Sequence, residues 1–287
     1  VYVNGNAVGS HRGGYTPFGF DITDKVRSGE NELRVKVHND VTENVPTGKQ
    51  SARPESFGCF YTRVTGIWQP VWLERTPVNY IESLKFYPDI EGCAVKAELV
   101  CEGEGEAEIA VTYDGRLVGE AKGYVKYRRA FDIKLGEKHL WEIGNGRLYD
   151  VTVRYCGDEV KSYFGLRQAG YDGMKFMLNG KSVFQRLSLD QGYYPDGLYT
   201  APDDESMRRD VELGLRLGFN GARLHQKVFD PRFLYHCDRA GYLVWGEFPS
   251  WGVDYENLSA LGTLVGEWTE AVERDFNHPS IITWCPL

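Results

Sequence analysis

Short alternating runs of apolar and polar residues fill the chain up to about Phe164, and beyond it a helical period takes over. Val1-Tyr2-Val3, Asn4-Gly5 and Ala7-Val8-Gly9 predict a hairpin, because a type I′ turn needs positive φ at both central residues and Asn-Gly adopts it cheaply. Further strands are predicted at Phe18 to Ile22 and at Glu32 to His38, where Leu33, Val35 and Val37 alternate with charged residues. A Gly/Pro/Ser-rich loop from Asn39 to Gly58 follows, and Val71 to Glu74 reads as a closing strand. These runs define a first all-β unit at residues 1–76.

A second all-β unit, residues 77–165, has runs near Ile81 to Tyr87, Ala94 to Cys101, Ala107 to Tyr113, Leu117 to Ala121, Ala130 to Ile133 and Tyr149 to Tyr155. Their spacing suits a sandwich of immunoglobulin size, with Asp114-Gly115 as another hairpin turn. The stretch Glu102 to Glu106 reads as a solvated loop without function.

Residues 166–287 form the third unit. A hairpin around Asn179-Gly180 leads to a strand at Val183 to Leu189. Ala201 to Glu205 then opens a helix with Pro and acids in its first turn. Met207, Val211, Leu215 and Leu217 make its apolar stripe, and Gly218 stops it. There follow a strand at Phe219 to Leu224, a helix from Pro231 to Ala240 closed by Gly241, and a strand at Tyr242 to Trp245. A longer helix carries Leu261, Leu264, Val265, Trp268, Val272 and Phe276, and Ile281 to Trp284 is a strand apolar on both faces. The order β-α-β-α-β-α-β implies parallel strands in an α/β sheet or barrel. Four strands are half of the eight that a TIM barrel needs.

Composition narrows the function classes. The net charge of −8, with basic residues scattered, argues against nucleic acid and anionic membrane as partners. No apolar run is long enough to span a bilayer, and the sequence opens on Val1-Tyr2-Val3-Asn4-Gly5 with neither an initiator Met nor a basic-then-apolar signal region. The six cysteines include no Cys-x-x-Cys pair, so free thiols are expected and no metal or cofactor site is legible. Free thiols in a chain of this size favour a bacterial cytoplasm, with periplasm or secretion as alternatives. Aromatic residues make up 14%, which suits a β-rich core and also suits stacking on sugar rings.

In a barrel-like fold the chemistry sits just beyond the C-terminal ends of the strands. Those places hold Asp190, Arg223, His225, Glu247 and, one loop further, Trp251. Asp190 and Glu247 fit either structural ion pairs with Arg186 or Arg223 or contacts to a substrate. His225 fits a structural or a binding role. Trp245, inside its strand, reads as core, whereas Trp251 reads as a stacking platform. Neither a Gly-x-Ser-x-Gly elbow nor a Gly-rich phosphate loop is present.

Several ordered segments carry a resemblance. Val-Tyr-Val-Asn-Gly at the start, Gly13 to Phe18, Phe20 to Thr23 and Thr65 to Glu74 are similar to the sugar-binding jelly-roll domain of glycoside hydrolase family 2, the family of β-galactosidases, β-glucuronidases and β-mannosidases. The second unit resembles that family's immunoglobulin-like domain. Phe176 to Lys181, Phe184 to Arg186, Leu217 to Arg223, Cys237 to Trp245 and Asn277 to Trp284 resemble the first half of its TIM (β/α)8 barrel.

The resemblance implies a retaining β-glycosidase acting on a carbohydrate, often as a homo-oligomer, through two carboxylates about 5 to 5.5 Å apart. It also implies that both catalytic Glu lie beyond Leu287, which would leave these residues inactive alone, and that the jelly roll's first strands precede Val1. Asp190, Arg223, His225, Glu247 and Trp251 would then bind substrate. Three positions depart from the family's pattern. His225 follows Arg223 by two residues where three is common, Gly246 precedes Glu247 where Asp is frequent, and Phe60 stands where galactosidases and glucuronidases often have an Asp. A non-catalytic carbohydrate-binding or structural module is the competing reading.

Overall fold

A computed structural model describes residues 1–40 and 44–287; positions 41–43 of the predicted Asn39 to Gly58 loop lie outside the described residues. The fold is mostly β with three helices among those residues.

The first unit has fewer strands than its alternation predicts. Strands β1 (Tyr2–Val3) and β2 (Asn6–Ala7) form the predicted hairpin, with Asn4 and Gly5 at φ 50° and 81°, and β3 (Leu33–Arg34) pairs with β1 on its other side. Phe18 to Ile22 and Val71 to Glu74 join no ladder. A strand requires a neighbour to exchange hydrogen bonds with, and these two segments make no ladder hydrogen bonds with the described chain, although His11 stacks on Phe18 at 4.5 Å.

The second unit is built on two long strands. Strands β4 (Ile81–Asp89), β5 (Ala94–Tyr113), β6 (Arg116–Lys134), β7 (Tyr149–Tyr155) and β8 (Asp158–Phe164) are hydrogen-bonded in one antiparallel system. On one edge β5 pairs with β6, with an irregularity between Val100 and Glu104; on the other it pairs first with β4 and then, from Ala107, with β7. The predicted Glu-rich loop is thus part of a strand. Glu102, Glu104 and Glu106 point to solvent, while Gly103 and Gly105 face Asn79 and the Cys156 thiol, where a Cβ would collide. Alternating Glu and Gly is a strand's own period of two. The inward residues, among them Leu99, Ile109, Ile133, Val151, Tyr149 and Phe164, make one continuous core.

A small sheet of β9 (Ala169–Asp172), β10 (Lys175–Leu178) and β11 (Lys181–Ser182) leads to the third unit, turning at Asn179-Gly180 as predicted. There β12 (Leu187–Asp190), α1 (Asp204–Arg216), β13 (Gly221–Leu224), α2 (Pro231–Ala240), β14 (Leu243–Glu247), α3 (Ser259–Arg274) and β15 (Ile281–Cys285) alternate, and the four strands pair in parallel in chain order. Local signals set the helix ends. The Asp203 side chain accepts from the Ser206 amide at 2.7 Å, Pro231 follows the Asp230 cap, and Gly241 closes α2 at φ 68°. Met207 and Val211 of α1 and Phe233, Leu234 and Cys237 of α2 bury one face of the sheet with Ala222, Leu224 and Val244.

Two stripes differ from the sequence reading. Leu217 is the exposed C-cap of α1, outside the stripe. Helix α3 turns Ala260, Leu264, Glu267 and Ala271 inward, while Leu261 and Val265 face solvent. The first unit causes this rotation. Gly14 donates its amide to Glu267 Oε2 at 3.0 Å, which makes Glu267 a buried contact, and Thr16 donates its hydroxyl to the exposed Glu270 at 2.6 Å. Burial pushes the Glu267 carboxyl up to about 7.

The second unit is fastened to the opposite end of the sheet. Asp238, fully buried on α2, receives hydrogen bonds from Tyr163 and from the Ser280 amide, and lies 2.6 Å from His278 Nδ1. Trp141 Nε1 donates to the Asp238 carbonyl at 2.7 Å, and Arg167 donates to the carbonyls of Pro279 and Ile281.

Candidate functional site

Parallel pairing puts the C-terminal ends of β12, β13 and β14 side by side, and that register decides which polar residues meet. Ala222 and Leu224 turn toward the helices, so Arg223 between them turns to the other face, opposite Trp245 of β14. Arg223 Nε reaches Glu247 Oε2 at 2.5 Å, and the Glu247 side chain is fully buried whereas that of Arg223 is 38% exposed. The buried carboxylate thereby holds the guanidinium in place with part of its donor set open to solvent.

His225 comes to the same carboxylate, its Nδ1 lying 2.7 Å from Glu247 Oε1 but not in line for a hydrogen bond. Burial lowers the affinity of this imidazole for a proton, and the Lys49 and Arg223 cations add to that against the pull of Glu247. Asp190 ends β12 with its carboxylate accepting from the Gly192 amide at 2.9 Å and its carbonyl accepting from the His225 amide at 2.7 Å. Burial raises its pKa. Arg186 donates to the Gly218 carbonyl, so of the two structural pairings read from the sequence the Arg223–Glu247 one forms.

Trp251 lies beyond β14 and is 37% exposed. The Lys49 ammonium sits 3.7 Å from its ring centroid, and the His225 and Phe60 rings lie at 5.8 and 5.5 Å. One of its faces is therefore already occupied. Trp245 is half-buried and donates its indole N–H to Gln185 at 2.7 Å. Gly246 is required by its neighbour across the sheet, because a Cβ there would meet the Trp284 ring at 2.8 Å. That contact leaves no room for the Asp frequent at this position in the family.

Three side chains central to this rim escaped the sequence reading. Gln226, buried and at φ 59°, donates Nε2 to Glu247 at 3.0 Å and to the Ser250 hydroxyl at 3.1 Å, and accepts from the Trp251 amide at 2.9 Å. Lys227 donates to the Gly192 and Tyr199 carbonyls at 2.5 and 2.7 Å among the rings of Trp68, Tyr193, Tyr199 and Phe229, and burial brings its amine down to about 7. Lys49 belongs to the first unit. The neighbouring Thr47 and Gly48 amides both donate to the Trp251 carbonyl, at 2.8 and 3.2 Å. No spacing rule could pair residues some two hundred positions apart.

No group of three or more His, Cys, Asp or Glu among the described residues could hold a metal ion. All six cysteines carry free thiols. No helix among the described residues is long and apolar enough to cross a membrane.

The strand ends thus gather a carboxylate–arginine pair, a histidine and aromatic rings on one rim of a parallel sheet. Comparison with known proteins shows what the chain is similar to. Residues 1–77 match the model of the glycosyl hydrolases family 2 sugar binding domain. Over 99% of its length the chain is 29% identical to a putative β-glucuronidase of Formosa agariphila and 29% identical to a β-galactosidase of Thermoanaerobacter pseudethanolicus, covering 35% and 40% of those proteins. A β-glucuronidase structure from Ruminococcus gnavus has the same fold over the whole chain, with a TM-score of 0.82 at 22% identity and 51% of that protein covered. One from Faecalibacterium prausnitzii gives a TM-score of 0.80 at 24% identity, covering 99% of this chain and 52% of the other. The resemblance to glycoside hydrolase family 2 is thereby borne out. The chain spans 35% to 52% of the relatives' lengths.

Proposed function

We propose that the chain is the substrate-gripping portion of a retaining β-glycosidase acting on galactoside-, glucuronide- or mannoside-type sugars. Residues 1–76 form its sugar-binding jelly roll, 77–165 an immunoglobulin-like sandwich and 166–287 about four strands of a TIM barrel. Arg223, His225, Glu247, Asp190 and Trp251 line the subsite for the terminal sugar, and the parent protein works as a homo-oligomer in the bacterial cytoplasm. The observation that carries this reading is the Arg223–Glu247 pair with His225 at the strand ends, the face where barrel enzymes keep their sites. The open side of the sheet, where Leu189 is 57% exposed, supports closure by further strands.

Glu247 is enclosed and bound by Arg223 and by Gln226 twice, an arrangement suited to holding other groups rather than to attacking a sugar carbon. The acid/base and the nucleophile come from sequence following Leu287, as the greater length of the relatives suggests. Sugars therefore bind to these 287 residues without being cleaved. The test combines ligand-observed NMR with simple β-glycosides and an assay with nitrophenyl β-glycosides. Binding without turnover, abolished by Arg223→Ala, is the expected result. Turnover above blank would refute the placement of the reacting carboxylates, and absence of binding would refute the site.

A further inference from the structure

Lys49 takes no part in the proposed function so far, and its surroundings are unusual. The residue is 4% exposed, yet among the described residues no oxygen pairs with its ammonium. The amine faces the Trp251 ring at 3.7 Å and the Phe60 ring at 5.9 Å. Aromatic faces recover only part of the hydration that a buried ammonium gives up. Among the described residues neighbouring charges do not complete the compensation. Glu247 is already matched by Arg223, and the burial that depresses His225 leaves it uncharged near neutrality.

The placement of the amine is fixed from both sides. The Lys49 carbonyl accepts from the Tyr61 amide at 2.9 Å, while the preceding two amides donate to the Trp251 carbonyl. Gly48 adopts φ 58° with the Gln226 carbonyl 2.3 Å from where a Cβ would be, so the segment lies hard against the rim and no larger residue fits. The outcome, among the described residues, is one positive charge in excess, held beside His225 and Trp251.

We propose that Lys49 is a specificity-determining residue lent by the first unit to the sugar site, where it pairs with an acidic substituent, a carboxylate or a sulfate ester, on the bound sugar. This rests on the reading of the rim as a sugar site. Phe60 and the Trp251 edge form the apolar wall of the same corner, which strengthens the ion pair by keeping water away.

The test is a comparison of methyl β-glucuronide, methyl β-galactoside 6-sulfate and the two uncharged parent glycosides, bound to the full chain and followed by ligand-observed NMR. At low salt an acidic sugar binds about ten-fold tighter than its uncharged parent, and the advantage shrinks as salt is added. Lys49→Met brings the ratio of acidic to uncharged affinity to about one, and Lys49→Arg keeps part of it. A preference confined to the uronate assigns the carboxylate, one confined to the sulfated sugar assigns the ester, and either supports the proposal. Equal binding of charged and uncharged sugars by the unaltered chain overturns the role of Lys49 while leaving the sugar site standing. A preference that survives Lys49→Met also overturns it, and if that variant does not fold, the salt-dependent comparison on the unaltered chain decides. Binding of none of the four sugars overturns the sugar site and Lys49 with it.

Discussion

Gln226 offers the sharpest test of how the rim is held. Its amide group makes three buried hydrogen bonds, to Glu247 at 3.0 Å, to Ser250 at 3.1 Å and from the Trp251 amide at 2.9 Å. Truncation to Ala strips all three and leaves a carboxylate, a hydroxyl and a backbone N–H short of partners. One bond to a charged acceptor and two to neutral groups amount to about 3 kcal/mol, allowing for water entering the space left. The backbone adds a second term of opposite sign. At φ 59° a side chain costs about 1 kcal/mol that glycine avoids. Gln226→Gly should therefore be less damaging than Gln226→Ala, the reverse of the usual order. Hydrogen exchange at the Trp251 amide reports the local effect without assuming that a chain of several units unfolds in one step. Acceleration on the order of a hundred-fold is expected for Ala, and less by a factor of about five for Gly. Unchanged protection in the Ala variant, or a Gly variant worse than Ala, would show that Gln226 does not lock the loop.

Gly246→Ala drives a methyl into the Trp284 ring and should cost about 1 to 3 kcal/mol, visible as a lower Tm and an altered near-ultraviolet signal; an unchanged Tm would mean that the ring moves freely. The Glu267 carboxyl rises from 4.5 to about 7 on folding, so its contribution to stability is complete below pH 4.5 and is lost as pH climbs through 7. Glu267→Gln should therefore flatten the decline in Tm between pH 5 and 8, with a gain on the order of 2 kcal/mol at the alkaline end; parallel Tm profiles for the two proteins would contradict this. Asp238→Ala leaves Tyr163, His278 and the Ser280 amide without their shared acceptor and should cost about 3 to 5 kcal/mol, with the second and third units melting separately in calorimetry; one unshifted transition would speak against the latch.

Much of the third unit was legible because its signals are local. A helical period over Met207 and Val211, the Asp230-Pro231 start and the Gly241 stop each act within one turn, and the structure obeys them. The strand-end rule brought Arg223, His225 and Glu247 together from sequence alone. The misreadings share a cause, which is that a distant partner overrode a local pattern. Leu261 and Val265 look like a core stripe, but Gly14 and Thr16 dock on the glutamates of the neighbouring face and turn α3 that way. Glu102 to Glu106 looks like a loop by composition until β6 supplies ladder partners for Glu104, Gly105 and Glu106. Phe18 to Ile22 fails in the other direction, having a strand's pattern and no ladder partner among the described residues. Lys49 and Gln226 carried no signal, since their importance lies wholly in what the fold brings to them.

The bonds from Thr47 and Gly48 to the Trp251 carbonyl have a bearing on how relatives of this chain diverge. A graft of one relative's first 77 residues onto another's remaining chain exchanges more than an accessory module. It carries across the backbone that props up Trp251 and the ammonium beside it, so on the role proposed for Lys49 such hybrids take part of their sugar preference from the donor of the amino-terminal segment.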